Sequence, residues 1–502
     1  MNPLIATFIC ACGIAGLFYF DRDKRARTSR ALWLPVIYFW IIGSRSVATW
    51  LNVQSSDTNV QLQGSPVDAA IFGMLLIAAI GVLIYRKNKT GILLTANWPI
   101  LIYFFYCLIS VVWSYHPDIS FKRWIKAISD LAMGMIVVTD GQPIVAFKRL
   151  ISRIGFILLP ASVLLIKYTD LGRGYTPDGA PENIGVTTNK NTLGVVLLVV
   201  GLGTLWHIIT LVRAKGRADR RRRLIAQGVL MVFGIVLFKM ANSATSTACF
   251  TLGGGLILAT NHRAIRGRPA RVQVLCFALV LVGALTFFFA GHSDVANALG
   301  RSSNLSGRTE IWAALIPSAS NPIFGAGFES FWISPDAQRF WSTLSHLGWW
   351  HPEILVPEAH NGYIEIYLNL GWVGLCLVSI ILISGYRRAV AAFRMNPSVG
   401  SLTLAYVIVC AVYSIAEAGF RSLDPIWAFL LLVIITSTGI TTGIVREPLA
   451  RERLNSPGAS SIASAETSWA YPRFRTQARK SSSEFVRWSS VAAWSASRPE
   501  KS

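Results

Sequence analysis

An all-α, polytopic membrane protein is the fold class this sequence predicts, and three observations predict it. The chain is 53% apolar and only 14% charged, against about 25% charge in a soluble chain. Its apolar residues are gathered into blocks of roughly 17 to 24, the length a helix needs to cross a ~30 Å hydrocarbon core. Its basic residues fall in alternate connections between those blocks, the charge pattern of a chain threaded through a membrane.

Taken in order, thirteen segments fit a spanning helix: 3–20, 31–50, 67–85, 92–113, 124–139, 154–168, 192–212, 224–240, 245–260, 272–290, 364–386, 400–418 and 426–444. The short or polar ones, 124–139, 154–168 and 245–260, make twelve the alternative count. No basic region precedes the first segment and no small-residue cleavage site follows it, so it is expected as a retained helix. Lys126 and Asp130, four apart in the fifth segment, are placed to pair with each other. All seven cysteines lie within these segments and none has CxxC spacing; they are expected as small buried apolar residues.

Of the 47 Lys and Arg residues, 35 fall in 21–30, 86–89, 148–153, 213–223, 263–271, 387–394 and 445–502, all on one side of the span count. That side is expected to be the cytoplasm, leaving the N-terminus in the periplasm and the C-terminus inside. The net charge of +22 is then topology plus attraction to membrane lipid headgroups, not a nucleic-acid surface. Residues 1–444 read as the membrane domain. The remainder, 445–502, is rich in Ser, Ala and Arg without a sustained period, as expected of a disordered basic cytoplasmic tail.

One connection stands out. Residues 291–363 form an extracytoplasmic loop of a length uncommon unless functional or disordered, and its many aromatic residues argue for order. It carries three Arg against six carboxylates and four of the seven histidines. RTEIWAALIP (308–317) has helical spacing, Asn321-Pro322 is a break, and Gly325-Ala326-Gly327 reads as a turn.

Two features carry chemistry. His360-Asn361 opens the eleventh segment, HNGYIEIYLNLGWVG. If the helix starts at His360, 100° per residue puts His360, Tyr367, Gly371 and Gly374 within about 40° of one meridian. Small residues there would admit another helix or leave a groove for a lipid chain. The helix N-terminus would keep the imidazole neutral, ready to accept a proton, and would favour an anion such as a diphosphate; the plainer alternative is a capping residue. The second feature is Arg308 in SGRTEIW, a permanent cation suited to phosphate, with an ion pair to Glu310 as the alternative. Arg45, Arg173, the 188–191 quartet with Lys190, Glu417 and Arg421 face the same side as weaker candidates.

His360-Asn361, nine residues, Gly371, two residues, Gly374 fits the H[NSQ]-x9-G-x2-[GTY] pattern of the O-antigen ligase and Wzy-type polymerase superfamily, which this chain resembles over about residues 1–444. GRTEIW and Asn321-Pro322-Ile323-Phe324-Gly325 resemble the start of that family's large periplasmic loop. Ala31-Leu32-Trp33-Leu34-Pro35, Ser44-Arg45 and Val112-Trp113-Ser114 look most like exopolysaccharide polymerases of the succinoglycan type.

The resemblance implies a GT-C-like, metal-independent, inverting glycosyltransferase of the inner membrane, needing no cofactor. Its donor would be glycan on undecaprenyl diphosphate. The acceptor would be the next lipid-linked repeat unit in a polymerase, or a lipid A core in a ligase. Chain-length regulators and export proteins would be partners. Carried onto this sequence, His360 is the base and Arg308 binds the diphosphate, with Asn361, Arg45, Lys190, Glu310, Glu417 and Arg421 as substrate-binding candidates. A family arginine ahead of the seventh segment has no clear counterpart, since Arg173 is too early and Lys190 is a lysine. A flippase for the same lipid-linked sugars is the reading from another class, and it requires charges lining a cavity across many spans.

Overall fold

A computed structural model describes residues 2–23, 26–53, 64–175, 179–214, 219–266, 268–290, 308–346 and 358–445. The tail expectation therefore lies outside the described residues, as do 291–307 and 347–357 of the long loop, with His292, Trp349, Trp350 and His351.

Each of the thirteen apolar segments carries a helix, and the chain is a multi-pass membrane protein. Seven helices are long and apolar enough to cross: Pro3–Phe20, Pro66–Tyr85, Pro143–Tyr168, Lys190–Arg213, Arg220–Ala241, Gly362–Met395 and Pro397–Ala416. Lys87–Ala96 and Trp98–Trp113, bent by 83°, make an eighth if counted as one span. By length and composition the described helices thus give seven or eight spans, below the twelve or thirteen expected. Part of the shortfall is one of length: Arg30–Ile42, Pro269–Leu281 and Pro425–Thr441 are apolar but short. Pro425–Thr441 is also enclosed by protein, with every residue from Pro425 to Ile440 buried. A helix apolar all round belongs at the centre of a bundle. Gly134 of helix Pro117–Val138 brings that backbone against Leu432, the close approach that small residues permit.

Polar groups sort to the two ends of the bundle. At one end Arg149 donates to the Asp23 and Ala26 carbonyls, Arg223 pairs with Asp23 at 3.0 Å, and Arg86 with Asp140 at 3.8 Å. The basic clusters of the sequence therefore meet one another. The opposite end carries the connections 169–189 and 417–424 and a cap built from 308–346. A short antiparallel pair, Arg173–Tyr175 with Pro181–Asn183, lies within the first of these connections of an otherwise helical fold. Four cysteines are buried as expected, but Cys12 and Cys376 are exposed and Cys10 is half-buried.

The cap has its own small core. Leu315 and Ile311 of helix Arg308–Leu315 pack with Ala337, Phe340 and Leu344 of helix Pro335–His346, and both lean on Ala359 and Leu368. Asp336 ties the two parts by accepting from the Ser320 amide and hydroxyl, at 3.0 and 2.7 Å. Burial would raise that carboxyl, but the Ser320 bonds and Arg339 outweigh it and hold it below the usual carboxylate range.

The cap is anchored in a broken helix. Gly362–Met395 leaves helical geometry at Gly371 (φ 63, ψ −164), which strands backbone groups that must find partners. The turn 321–327 supplies them: the Trp372 and Val373 amides donate to the Pro322 and Ile323 carbonyls, and the Ala326 and Gly327 amides donate to Leu368 and Asn369. The Tyr106 hydroxyl closes the gap with a 3.0 Å bond to the Leu370 carbonyl. A Cβ at Gly371 would collide with the Ile323 carbonyl. Gly371→Ala should therefore cost at least the ~1–3 kcal/mol of a strained backbone site and unseat the turn. Thermal unfolding in detergent should show a clear drop in Tm for it, while Gly13→Ala, with nothing within 4 Å of its Cβ, should leave Tm unchanged.

Candidate active site

His360 does not begin a helix. It stands in the left-handed region (φ 46), two residues before the helix starts at Gly362, and such a conformation costs about 1–3 kcal/mol at a non-glycine residue. Its neighbours hold it there. The Ala359 carbonyl accepts from Trp312 Nε1 at 2.8 Å, and the Ala359 amide donates to Glu365 Oε2 at 3.0 Å. Asn361 is the N-cap, its Oδ1 accepting from the Tyr363 and Ile364 amides. The expected capping role thus falls to Asn361 through its Oδ1.

The expected stripe of His360, Tyr367, Gly371 and Gly374 on one meridian does not form, because His360 lies off the helix and Gly371 interrupts it. Gly371 receives a turn rather than a lipid chain. Gly374 packs against its own helix, a Cβ there meeting Ile366 and Leu370, and Tyr367 belongs to the cap core beside Trp372.

His360 Nδ1 lies 3.2 Å from Glu358 Oε1 and 3.4 Å from Glu417 Oε2. Each carboxylate holds an arginine on its other oxygen: Arg308 Nη2 to Glu417 Oε1 at 2.9 Å, and Arg421 Nη1 to Glu358 Oε2 at 3.0 Å. The result is an alternating chain, Arg421–Glu358–His360–Glu417–Arg308, formally neutral with the imidazole uncharged. Arg308 also donates to the Ala416 carbonyl, and Asn191 Nδ2 donates to Glu417 Oε1 at 3.2 Å. Ionised carboxylates only accept, so a neutral His360 facing two of them carries its proton on Nδ1 and keeps the Nε2 lone pair. Charge arriving on the ring would then face two anions, an arrangement able to support proton uptake at Nε2.

Among the described residues, Glu358, His360 and Glu417 also bring their ligand atoms within 4.8 Å of one another. A His and two carboxylates could hold a divalent ion, but here an arginine already sits on each carboxylate.

Beside this chain lies a cavity of about 640 Å3, lined by Arg123, Lys126, Arg421, Glu329 and Glu365 among polar groups and by Tyr103, Phe328, Trp332 and Trp341 among aromatic ones. Burial alone would lower the Arg421 pKa, but Glu365, Glu358, Glu329 and Asp424 around it outweigh burial and raise it, so it stays cationic. Lys126 has no hydrogen-bond or ion-pair partner among the described residues. Its expected pairing with Asp130 does not form, because Asp130 accepts from the Tyr38 hydroxyl at 2.7 Å and the Leu423 amide at 3.1 Å.

Other expectations are displaced. Arg45 is buried and donates to the Thr187, Leu171 and Gly185 carbonyls, so it braces the connection 169–189 rather than meeting substrate. Lys190 reaches Glu182 at 3.8 Å. Arg173 Nε bonds the Ile166 carbonyl at 3.0 Å. The Glu310 side chain lies outside the described residues, and the ion pair of Arg308 is with Glu417. Glu417 orders His360 and Arg308, and Arg421 stands between His360's carboxylate and the cavity. Sequence reasoning missed Glu358, although it stands two residues before His360, and it missed Arg123, Glu329, Glu365, Trp332 and Trp341, whose only signal was membership of the long loop or of a polar helix start.

Glu417→Gln should lower turnover at least about tenfold, equivalent to ~1.4 kcal/mol of barrier, in membranes normalised for folded protein. Arg45→Ala leaves carbonyls unpaired at ~1–3 kcal/mol each; it should lower the yield of folded protein while the molecules that fold keep full turnover.

Residues 193–379 match the family described as Wzy_C, O-Antigen ligase. That segment contains Arg308, His360, Gly371 and Gly374, whereas Glu417, Arg421, Arg123 and Lys126 lie outside it. The chain is also 27% identical to the exopolysaccharide production protein ExoQ of Rhizobium meliloti (strain 1021), over 61% of this chain and 68% of that one. The chain is thus similar to the O-antigen ligase family over that segment and to an exopolysaccharide production protein over a longer one.

Proposed function

We propose that this protein is an exopolysaccharide polymerase of the inner membrane, moving glycan from one lipid diphosphate onto the next lipid-linked repeat unit at the outer face. The observation that carries this reading is His360, fixed by two arginine-paired carboxylates, beside a cavity with cations on its wall. The general similarity to polymerases and ligases supports the reaction class, and the exopolysaccharide relative favours polymerisation.

An acceptor hydroxyl gives its proton to His360 Nε2 as its oxygen bonds to the donor's anomeric carbon. The bond from that carbon to the diphosphate breaks, and the lipid diphosphate leaves with the electron pair. Attack opposite the leaving group inverts the anomeric centre. The imidazolium faces Glu358 and Glu417, and charge on the leaving group meets Arg421, Arg123 and Lys126. Arg308, spent on Glu417 and the Ala416 carbonyl, acts through the base rather than on the diphosphate. This assigns the missing second cation to the cavity. Undecaprenyl diphosphate fits the donor role because nucleotide sugars do not reach that face, and chain-length regulators and export proteins would receive the product.

Ligation is the competing reading, favoured by the family description of residues 193–379. Both are tested in a deletion strain complemented with His360→Ala, with lipid-linked glycan and exported polysaccharide sized by electrophoresis. Loss of a general base lowers turnover by ~10²–10⁴-fold, so polymerisation predicts single lipid-linked repeat units and no long polymer. Lipid-linked polymer of full length that is not transferred would mark a ligase. Full-length exported polymer would reject His360 as the base.

A second test concerns metal. With an arginine on each carboxylate of the Glu358–His360–Glu417 group, synthesis in washed membranes should be unchanged by EDTA. Loss of activity restored by Mg²⁺ or Mn²⁺ would instead make that group a metal site.

A further inference from the structure

The cavity has two chemically unlike walls. Arg123 and Lys126 come from helix Pro117–Val138, whereas Trp332, Gln338 and Trp341 come from the cap. The cationic wall suits phosphate. The cap wall presents aromatic rings and a neutral amide, which suit neither a phosphate nor a lipid chain.

Three details mark the cap wall as a built surface. Trp332 is held rigidly, its Nε1 donating to Glu365 Oε1 at 2.7 Å, and Glu365 is itself buried and accepts from Asn369 at 3.3 Å. Trp341 lies against it, ring centroids 6.4 Å apart and tilted by 32°. Its indole N–H finds no hydrogen-bond partner among the described residues, and an unpaired donor costs free energy until an acceptor arrives. Gln338, one turn earlier on the same helix, is exposed and makes no hydrogen bond among the described residues. A donor without an acceptor, a free amide and two aromatic faces together fit a pyranose. Its axial C–H face would lie on the negative face of an indole, while its ring hydroxyls would meet the amide and the N–H. The volume, about 640 Å3, is within the ~300–1,000 Å3 of small-molecule sites.

We propose that the cap helix Pro335–His346 reads the sugar: Trp341 and Gln338, with Trp332 as a fixed floor, form a saccharide subsite that selects the repeat unit. The subsite deepens the polymerase reading and rests on it for the identity of the glycan. Glu365 is a positioning residue in this scheme, because it holds Trp332 on one oxygen and the Ala359 amide, next to His360, on the other. Sugar recognition and the base are thereby joined through one carboxylate.

Binding rather than turnover tests this. The probe is the oligosaccharide released by mild acid from the lipid-linked fraction of a strain lacking the gene, titrated calorimetrically into the full chain in nanodiscs. Trp341→Ala should weaken binding tenfold or more. Trp341→Phe, which keeps a ring but deletes the N–H, and Gln338→Ala should each weaken it about three- to tenfold. His360→Gln should bind as the wild type does while making no polymer, which separates this subsite from the assignment of the base. Unchanged affinity in both Trp341→Phe and Gln338→Ala would overturn the proposal, as would wild-type protein that takes up inorganic diphosphate but not the oligosaccharide. Should Trp341→Ala fail to fold, the two milder variants decide the matter.

Discussion

Glu417 is the residue on which three separate stretches of chain converge. Its carboxylate takes Arg308 from the cap, Asn191 from the start of helix Lys190–Arg213, and the His360 ring, and its backbone carbonyl accepts the Gly362 amide that opens the broken helix. Among these partners lie sequence separations of 109 and 226 residues. A carboxylate that is only 6% exposed would be expensive to leave unpaired, so folding must bring all of these stretches together before the charge is satisfied. The same bonds that satisfy Glu417 orient the imidazole. Stability of the cap and geometry of the proposed base therefore depend on one group.

The broken helix supplies the second constraint. By ending its first part at Gly371, it leaves carbonyls and amides without helical partners, and the turn 321–327 is the segment whose backbone fits them. The turn 321–327 thus keys the cap into the membrane domain largely by main-chain bonds. That leaves the cap's side chains free to vary the cavity wall. A division follows between a fixed part, His360 with its carboxylates, and an adjustable part, the face of helix Pro335–His346.

The legibility of all this in the sequence was uneven, for physical reasons. Length and apolarity of a segment are local properties, and every apolar block is a helix. Burial is not local: Pro425–Thr441 is buried from Pro425 to Ile440 because five other helices pack against it, and nothing within its 17 residues says so. The motif around His360 pointed to the right place but to the wrong geometry. Helical spacing from His360 assumed an unbroken helix, whereas Gly371 is there for its positive φ and the close approach of Ile323. Charges were hardest. Arg45, Lys190 and Lys126 look alike as interfacial cations, yet one braces backbone carbonyls, one pairs with Glu182, and one faces a cavity. Those fates are set by partners distant in sequence, and Asp130 went to Tyr38 rather than to Lys126 four residues away for the same reason.

The central claim is that two arginine-paired carboxylates hold His360 with its proton on Nδ1 and leave Nε2 free to accept another. Long-range ¹H–¹⁵N correlation spectra of histidine-labelled protein in nanodiscs, with His360 identified by loss of its signals in His360→Gln, measure this directly. The account predicts a neutral ring protonated at Nδ1 in wild type, and loss of that preference in Glu417→Gln combined with Glu358→Gln. A neutral ring protonated at Nε2 in the wild type would contradict it.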